Sequence, residues 1–282
     1  MSVESPISAA LPGSSAPPPP LPAKPASGRS RLTGLLIGAV VIALLVYSWI
    51  DTSASVTQAF DAFFGSKGLI RNVLPQSVPP QANQFWPGLQ AAATTLAIAI
   101  LSIAFGVVGS LALLPLAARN ITPSRPLYEL ARLFQAILRA IPELIMLLLF
   151  NVVLGFTPFA AVLALTLHGI GVKGKLYAEA VEEMDISAVD ALRVAGAGRL
   201  QVFLHAVLPG VRNTLTGLTL YRLDANFRSA VTLGAVGGGG IGFLIDNQLN
   251  VFQFKAVMTY IIVLVIVVLA VERISTELRK RL

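Results

Sequence analysis

Arg222, Asp224, Asn226 and Arg228 stand at alternate positions in a stretch otherwise apolar enough to enter a bilayer. Charged side chains are rare inside membranes and mark ion paths, binding sites or pairs. At about 100° per residue, Arg222 shares a helix face with Asn226, and Asp224 shares another with Arg228. Asp224 and Arg228 are four apart, the spacing of an intrahelical ion pair, and are expected to satisfy each other. Arg222 has no carboxylate one turn away in its own helix. With ~1.5 Å rise per residue it lies roughly 14 Å beyond Asn213, near mid-bilayer. It therefore needs an acid from another helix, such as Glu143 after Pro142, or it faces a water-filled path and meets an anion. His168 is a further candidate for that path, although a lone helix histidine also reads as a packed, hydrogen-bonded residue. Glu143 and His168 are the acid–base pair that separate spans could bring together, but no nucleophile or metal-ligand spacing accompanies them. Cysteine is absent, the two histidines are far apart, and no Gly-x-x-x-x-Gly-Lys-Ser/Thr phosphate loop occurs. We expect no catalytic residues, no metal and no bound cofactor, so energy must come from a partner or an ion gradient.

Positioning these residues is a membrane problem. Of 282 residues, 55% are hydrophobic and 12% charged, with a mean hydropathy of +0.76, whereas soluble domains carry about 25% charged residues. The net charge of +7 is read as cations in loops on the cytoplasmic side rather than as a nucleic-acid surface. Residues 1–30, centred on Pro17-Pro18-Pro19-Pro20, read as a disordered cytoplasmic tail. Residues 31–50 form a first transmembrane helix, since Leu32–Ile50 holds no charge and is long for a signal-peptide core. Residues 51–85, with Pro75, Pro79 and Pro80, read as an external segment. The remainder, 86–282, reads as five spans. Leu89–Ala118 carries Gly106, Gly109 and Ser110 at the spacing of a helix–helix contact. A span from about Leu130 to Leu154 is bent by Pro142, another runs from about Pro158 to Val172, a fifth runs from Asn213 towards Gly237, and the sixth is Ala256–Val271. With six alternating spans and the N-terminus inside, 16 Lys and Arg (Lys173 among them) fall inside against three outside. Both termini and the loop 173–209 are thus expected in the cytoplasm.

Within that loop, Ser187 and Asp190 read as a capping box opening a short helix that stops at Gly196. A second short helix, about Arg199–Val207, would end at Leu208-Pro209. Helix, glycine bend and helix make a knob at the membrane face, which by itself is also how a plain inter-helix loop looks. The cluster Gly237, Gly238, Gly239 and Gly240 has two readings, an external loop or a gate or re-entrant segment at the outer mouth.

Asp190-Ala191-Leu192, three residues, Gly196, eleven residues, Leu208-Pro209 resembles the EAA loop of binding-protein-dependent ABC importer permeases. Asp190 replaces the family's Glu, Leu192 its second Ala, and Ala206 fills an apolar place, while Gly196, Leu208 and Pro209 match in register. Arg139-Ala140-Ile141-Pro142-Glu143, Gly174-Lys175-Leu176-Tyr177-Ala178-Glu179-Ala180 and Tyr221-Arg222-Leu223-Asp224-Ala225-Asn226-Phe227-Arg228 are similar to the phosphonate-importer permeases. The resemblance covers most of residues 86–282 and implies an all-α integral membrane protein of about six transmembrane helices, the type I ABC importer permease architecture. It implies that Asp190, Ala191, Leu192, Gly196, Leu208 and Pro209 belong to a coupling helix docking on a separate ATPase. It also implies a second copy of the permease, a cytoplasmic ABC ATPase dimer using ATP and Mg, an external phosphonate-type binding protein, and residence in lipid of the bacterial inner membrane. Two arginines in one span suit a phosphorus oxyanion. A permease for another solute, a secondary transporter and an intramembrane enzyme are the alternatives; no inverted repeat favours the second and no catalytic set the third.

Overall fold

The computed structural model describes residues 28–52, 55–66 and 68–280. The proline tract and the rest of the expected tail before Gly28 lie outside them, as do Lys67 and Arg281. The regular elements among the described residues are all helical, without a strand, and contacts divide the chain into residues up to Asp61 and residues from Ala62 onward. The first unit holds α1 (Gly28–Asp51), which contains the expected first span, and most of α2 (Val56–Phe64).

In the second unit a π-turn (Leu69–Val73), α3 (Leu74–Ser77) and a 3-10 turn (Ala82–Gln84) lead into α4 (Phe85–Ala117). The stretch before α4 is tied to the last helix, α12 (Phe254–Lys280): Gln81 N donates to Thr259 Oγ1 at 2.9 Å and Tyr260 OH donates to Gln84 Oε1 at 2.6 Å. α4 packs on α7 (Pro158–Glu182) through small residues, because backbones in lipid gain from close approach. Ala92, Ala99, Ser102 and Ser110 of α4 and Ala160, Ala161 and Ala164 of α7 are fully buried. A Cβ on Gly109 would lie 2.8 Å from Ile170 Cγ1, so the expected small-residue contact is this one.

Several expected elements differ from the observed ones. The third span is two helices, α5 (Arg125–Ala140) and α6 (Glu143–Leu154), meeting at 84°. Pro142 forces Ile141 into an extended conformation (φ −83°, ψ 118°), which ends α5 rather than bending it. Neither piece alone matches a hydrocarbon core of about 30 Å. Four described helices are long and apolar enough to cross a membrane, or up to six if each bent pair counts as one span. α7 does not stop at Val172 but continues ten residues to Glu182, because nothing in 173–182 breaks a helix. Lys173 is therefore buried in the bundle rather than in a loop, which leaves fifteen cations against three in the orientation count. The loop proper begins at Glu183 and carries α8 (Ser187–Val194) and α9 (Arg199–Val202).

α9 does not end at Leu208-Pro209. A π-turn (Phe203–Val207) carries it into α10 (Leu208–Leu233), with Leu208 N donating to Phe203 O. Proline has no N–H and tolerates the start of a helix, so the wider turn absorbs it where an α-turn would lose a bond. α10 is broken by a π-turn (Gly234–Gly238) and resumes as α11 (Gly240–Asn250) at 53°, before α12.

Candidate functional site

The knob between α7 and α10 is built from a glycine stop and buried apolar anchors. Gly196 (φ +81°) closes α8 in a Schellman arrangement, its N donating to Arg193 O (3.0 Å) and Ala197 N to Leu192 O (3.0 Å). The start of α8 differs from the expected capping box. Ile186 is the N-cap, and the carboxylate that accepts from the first turn is Asp185, whose Oδ1 takes Ser187 N at 3.0 Å. The bonds from Ser187 hold the exposed Asp185 carboxyl below its ordinary range. Asp190 instead pairs with Arg193 at 3.3 Å across one turn. Val189 is 1% exposed against α7 and α10 residues including Tyr177, Val181 and Val211, so α8 is fastened by an apolar plug worth about 2 kcal/mol. Val202 of α9 is buried in the same cluster (5% exposed), whereas Ala191 and Pro209 are exposed, Leu192 and Leu208 half-buried, and Val194 (90%) and Leu200 (70%) stand free. A Cβ on Gly196 would meet nothing within 4 Å.

A clamp of polar bonds joins this knob to the helices beside it. Arg193 Nη2 donates to Asn120 O (3.0 Å), and Asn120 Nδ2 donates to Val181 O (2.7 Å). Glu182 Oε1 accepts both Arg119 N (2.8 Å) and Arg132 Nη2 (2.9 Å), tying the end of α7 to the α4–α5 turn and to α5. Sequence reasoning missed this set because its members lie 50 to 73 positions apart and none is unusual in a loop. Glu182→Gln removes the charge that holds both donors, at 19% and 28% exposure of the ion-paired side chains. We expect a loss of about 2 kcal/mol, read as a fall on the order of 5 °C in the thermal unfolding midpoint of the purified protein. An unchanged midpoint would show the clamp to be idle.

On α10, the exposed Arg228 places Nη2 2.7 Å from Asp224 Oδ2, the intrahelical pair expected from spacing. Asn226 is 3% exposed and donates to Ser102 Oγ of α4 at 3.1 Å. Arg222 shares that face of α10 and is partly buried, with Nε lacking a hydrogen-bond partner. Glu143, in the first turn of α6, acts on Arg222 through its charge, but no ion pair joins them among the described residues. His168 is partly buried on α7 with Nδ1 lacking a hydrogen-bond partner, and no bond brings it to Glu143. The residue that sequence reasoning left out is Lys173, fully buried and facing this interior. The available signal was helical spacing, since Thr166, Gly169, Lys173 and Tyr177 share one face of an unbroken helix.

The glycine cluster is a packed break rather than a loose hinge. Gly237 (φ +101°), Gly239 (φ +76°) and Gly240 (φ +73°) take left-handed conformations, and each is walled in. Gly237 lies against Phe156 and Asn151, Gly238 against Leu233 O and Ala161, Gly239 against Pro158, and Gly240 against Thr95. Thr95 Oγ1 also accepts Ile241 N at 2.9 Å, capping the start of α11. Irregular backbone at membrane depth is tolerated where protein buries it in this way.

The family described as the binding-protein-dependent transport system inner membrane component matches residues 112–282. A phosphite transport system permease protein of Stutzerimonas stutzeri is 38% identical over 211 residues, 75% of this chain and 77% of that protein. A phosphate-import permease protein of Mycolicibacterium smegmatis is 36% identical over 255 residues, 90% of this chain and 46% of that protein. Among solved structures, an inward-facing form of the MetNI methionine ABC transporter aligns with a TM-score of 0.62 at 22% identity, over 71% of this chain and 98% of that one. An amino acid ABC transporter aligns at 0.57 and 17%, over 71% and 94%. These likenesses establish the fold as that of ABC importer permeases. A multi-pass bundle with a helical knob between its spans, matched over residues 112–282, identifies the chain as a member of the inner-membrane component family of binding-protein-dependent transport systems.

Proposed function

We propose that this chain forms the translocation path of an ATP-driven importer for a phosphorus oxyanion: a phosphonate, phosphite or phosphate. Two copies face one path, an ABC ATPase pair that hydrolyses ATP with Mg docks on the knobs, and an external binding protein delivers the anion. The N- and C-termini and the knob lie in the cytoplasm. The observation that carries the substrate class is that relatives matching 75% and 90% of the chain are named for phosphite and phosphate. The docking role is supported by the outward Val194 and Leu200 beside the open Gly196, since apolar side chains gathered on a protruding loop suit a partner surface. The substrate class is tested by uptake of labelled phosphate, with phosphite and methylphosphonate as competitors, in cells with and without this chain. Uptake that depends on the chain and is blocked by either competitor is expected; uptake equal in both strains refutes the reading.

A further inference from the structure

Lys173 has no exposed surface, and its Nζ has no hydrogen-bond partner among the described residues. Its side chain leans back towards the N-terminal end of α7, as long helix side chains do, and two glycines make room for the ammonium. A Cβ on Gly169 would lie 2.8 Å from Nζ, and a Cβ on Gly106 of α4 would collide with it. Arg222 faces the same interior from α10. Its Nε is buried without a partner, and its charge acts directly on Lys173. Cross-helix bonds hold the two in register on either side: Tyr177, one turn beyond Lys173, bonds Thr219, and Asn226, one turn beyond Arg222, bonds Ser102, one turn before Gly106. The acid whose charge reaches this pair is Glu143, acting on Arg222 without an ion pair. Thr166, two turns before Lys173 on its face, adds a buried hydroxyl that also lacks a partner.

Two cations against one acid that pairs with neither leave a positive excess in a low-dielectric interior, where an unpaired ammonium is expensive. An oxyanion offers several acceptor atoms and charge at one point, which satisfies a guanidinium and an ammonium together. We infer that Lys173 and Arg222 form an oxyanion site within each protomer that takes the transported phosphorus oxyanion. Arg222 is the partly exposed entry to the site, and Lys173 is the buried charge behind it. This inference rests on the transport reading above and names residues that reading does not need.

The test uses the complete transporter in proteoliposomes, this chain with its ATPase and a saturating amount of binding protein, taking up [33P]phosphate. Lys173→Met and Arg222→Met are each expected to lower the maximal rate about ten- to a hundredfold, the loss of one charge-assisted contact. Lys173→Arg should keep more of the rate than Lys173→Met. Lys175→Met, on the exposed side two residues along, should match wild type. Direct binding of [33P]phosphate to the permease–ATPase complex without binding protein should be displaced by phosphite but not by chloride, and lost in both Met variants. If Lys173→Met does not accumulate, Arg222→Met decides. Wild-type rates in the Met variants overturn the site and leave the transport reading standing, whereas a wild-type transporter that takes up no phosphorus oxyanion overturns both.

Discussion

Gly196→Glu abolishes uptake while the protein still reaches the membrane in normal amount. Two effects combine. The residue holds φ at +81°, which costs a side-chain-bearing residue about 1–2 kcal/mol and loosens the stop of α8. The larger effect comes from the empty space around it, since the new carboxylate points into the surface proposed to receive the ATPase. An unpaired charge trapped in such a contact costs several kcal/mol, and each 1.4 kcal/mol is about tenfold in affinity. Gly196→Asn separates the effects, because asparagine tolerates the left-handed conformation and adds no charge. We expect it to keep most of the uptake. Radiotracer uptake with immunoblotting of membrane fractions reads both variants, and undiminished transport by Gly196→Glu would remove the knob from the coupling route.

Gly242→Val prevents the bundle from assembling. A Cβ at Gly242 would collide with Val231 O and come within 2.9 Å of Ala235 N, both backbone atoms that cannot swing aside. The close approach lets α11 fold back on α10 across the break, with Gly234 facing Gly242 in the same contact. A branched side chain there forces the break apart and unseats Ile241, which is fully buried beside Ala92 and Tyr260. The expected cost is about 3 kcal/mol or more, read as loss of the monodisperse detergent-solubilised peak in size-exclusion chromatography. A normal peak would mean that the break can widen without penalty.

Much of the fold was legible because apolar length and small-residue spacing are local properties. α1, α4 and α12 lie where runs of hydropathy place them, and Gly106 and Ser110 lie on the contact that their spacing suggested. The Asp224–Arg228 pair was legible for the same reason, being four residues apart in one helix. The corner at Pro142 was not, since proline permits both a bend and a full turn, and the choice of 84° is made by what α5 and α6 pack against. The end of α7 was misjudged through charge: a lysine usually marks the water boundary, yet Gly106 and Gly169 give Lys173 a place inside. The Glu182 clamp was invisible because it joins four separate segments. The N-cap of α8 lies one residue earlier than expected because Asp185 and Asp190 both offer a carboxylate, and the backbone path selects the first.

The π-turn at Phe203–Val207 has a mechanical consequence. By carrying α9 into α10 without interruption, it makes one helical run from Arg199 to Leu233, about 50 Å at ~1.5 Å per residue. Such a rod works as a lever arm. A tilt of about 5° at the Arg199 end displaces the far tip by roughly 5 Å over that length, and beyond that tip four glycines meet the side chains of α4, α6 and α7. Small strokes at one end of the rod are thereby magnified at the other, with Arg222 riding partway along the beam.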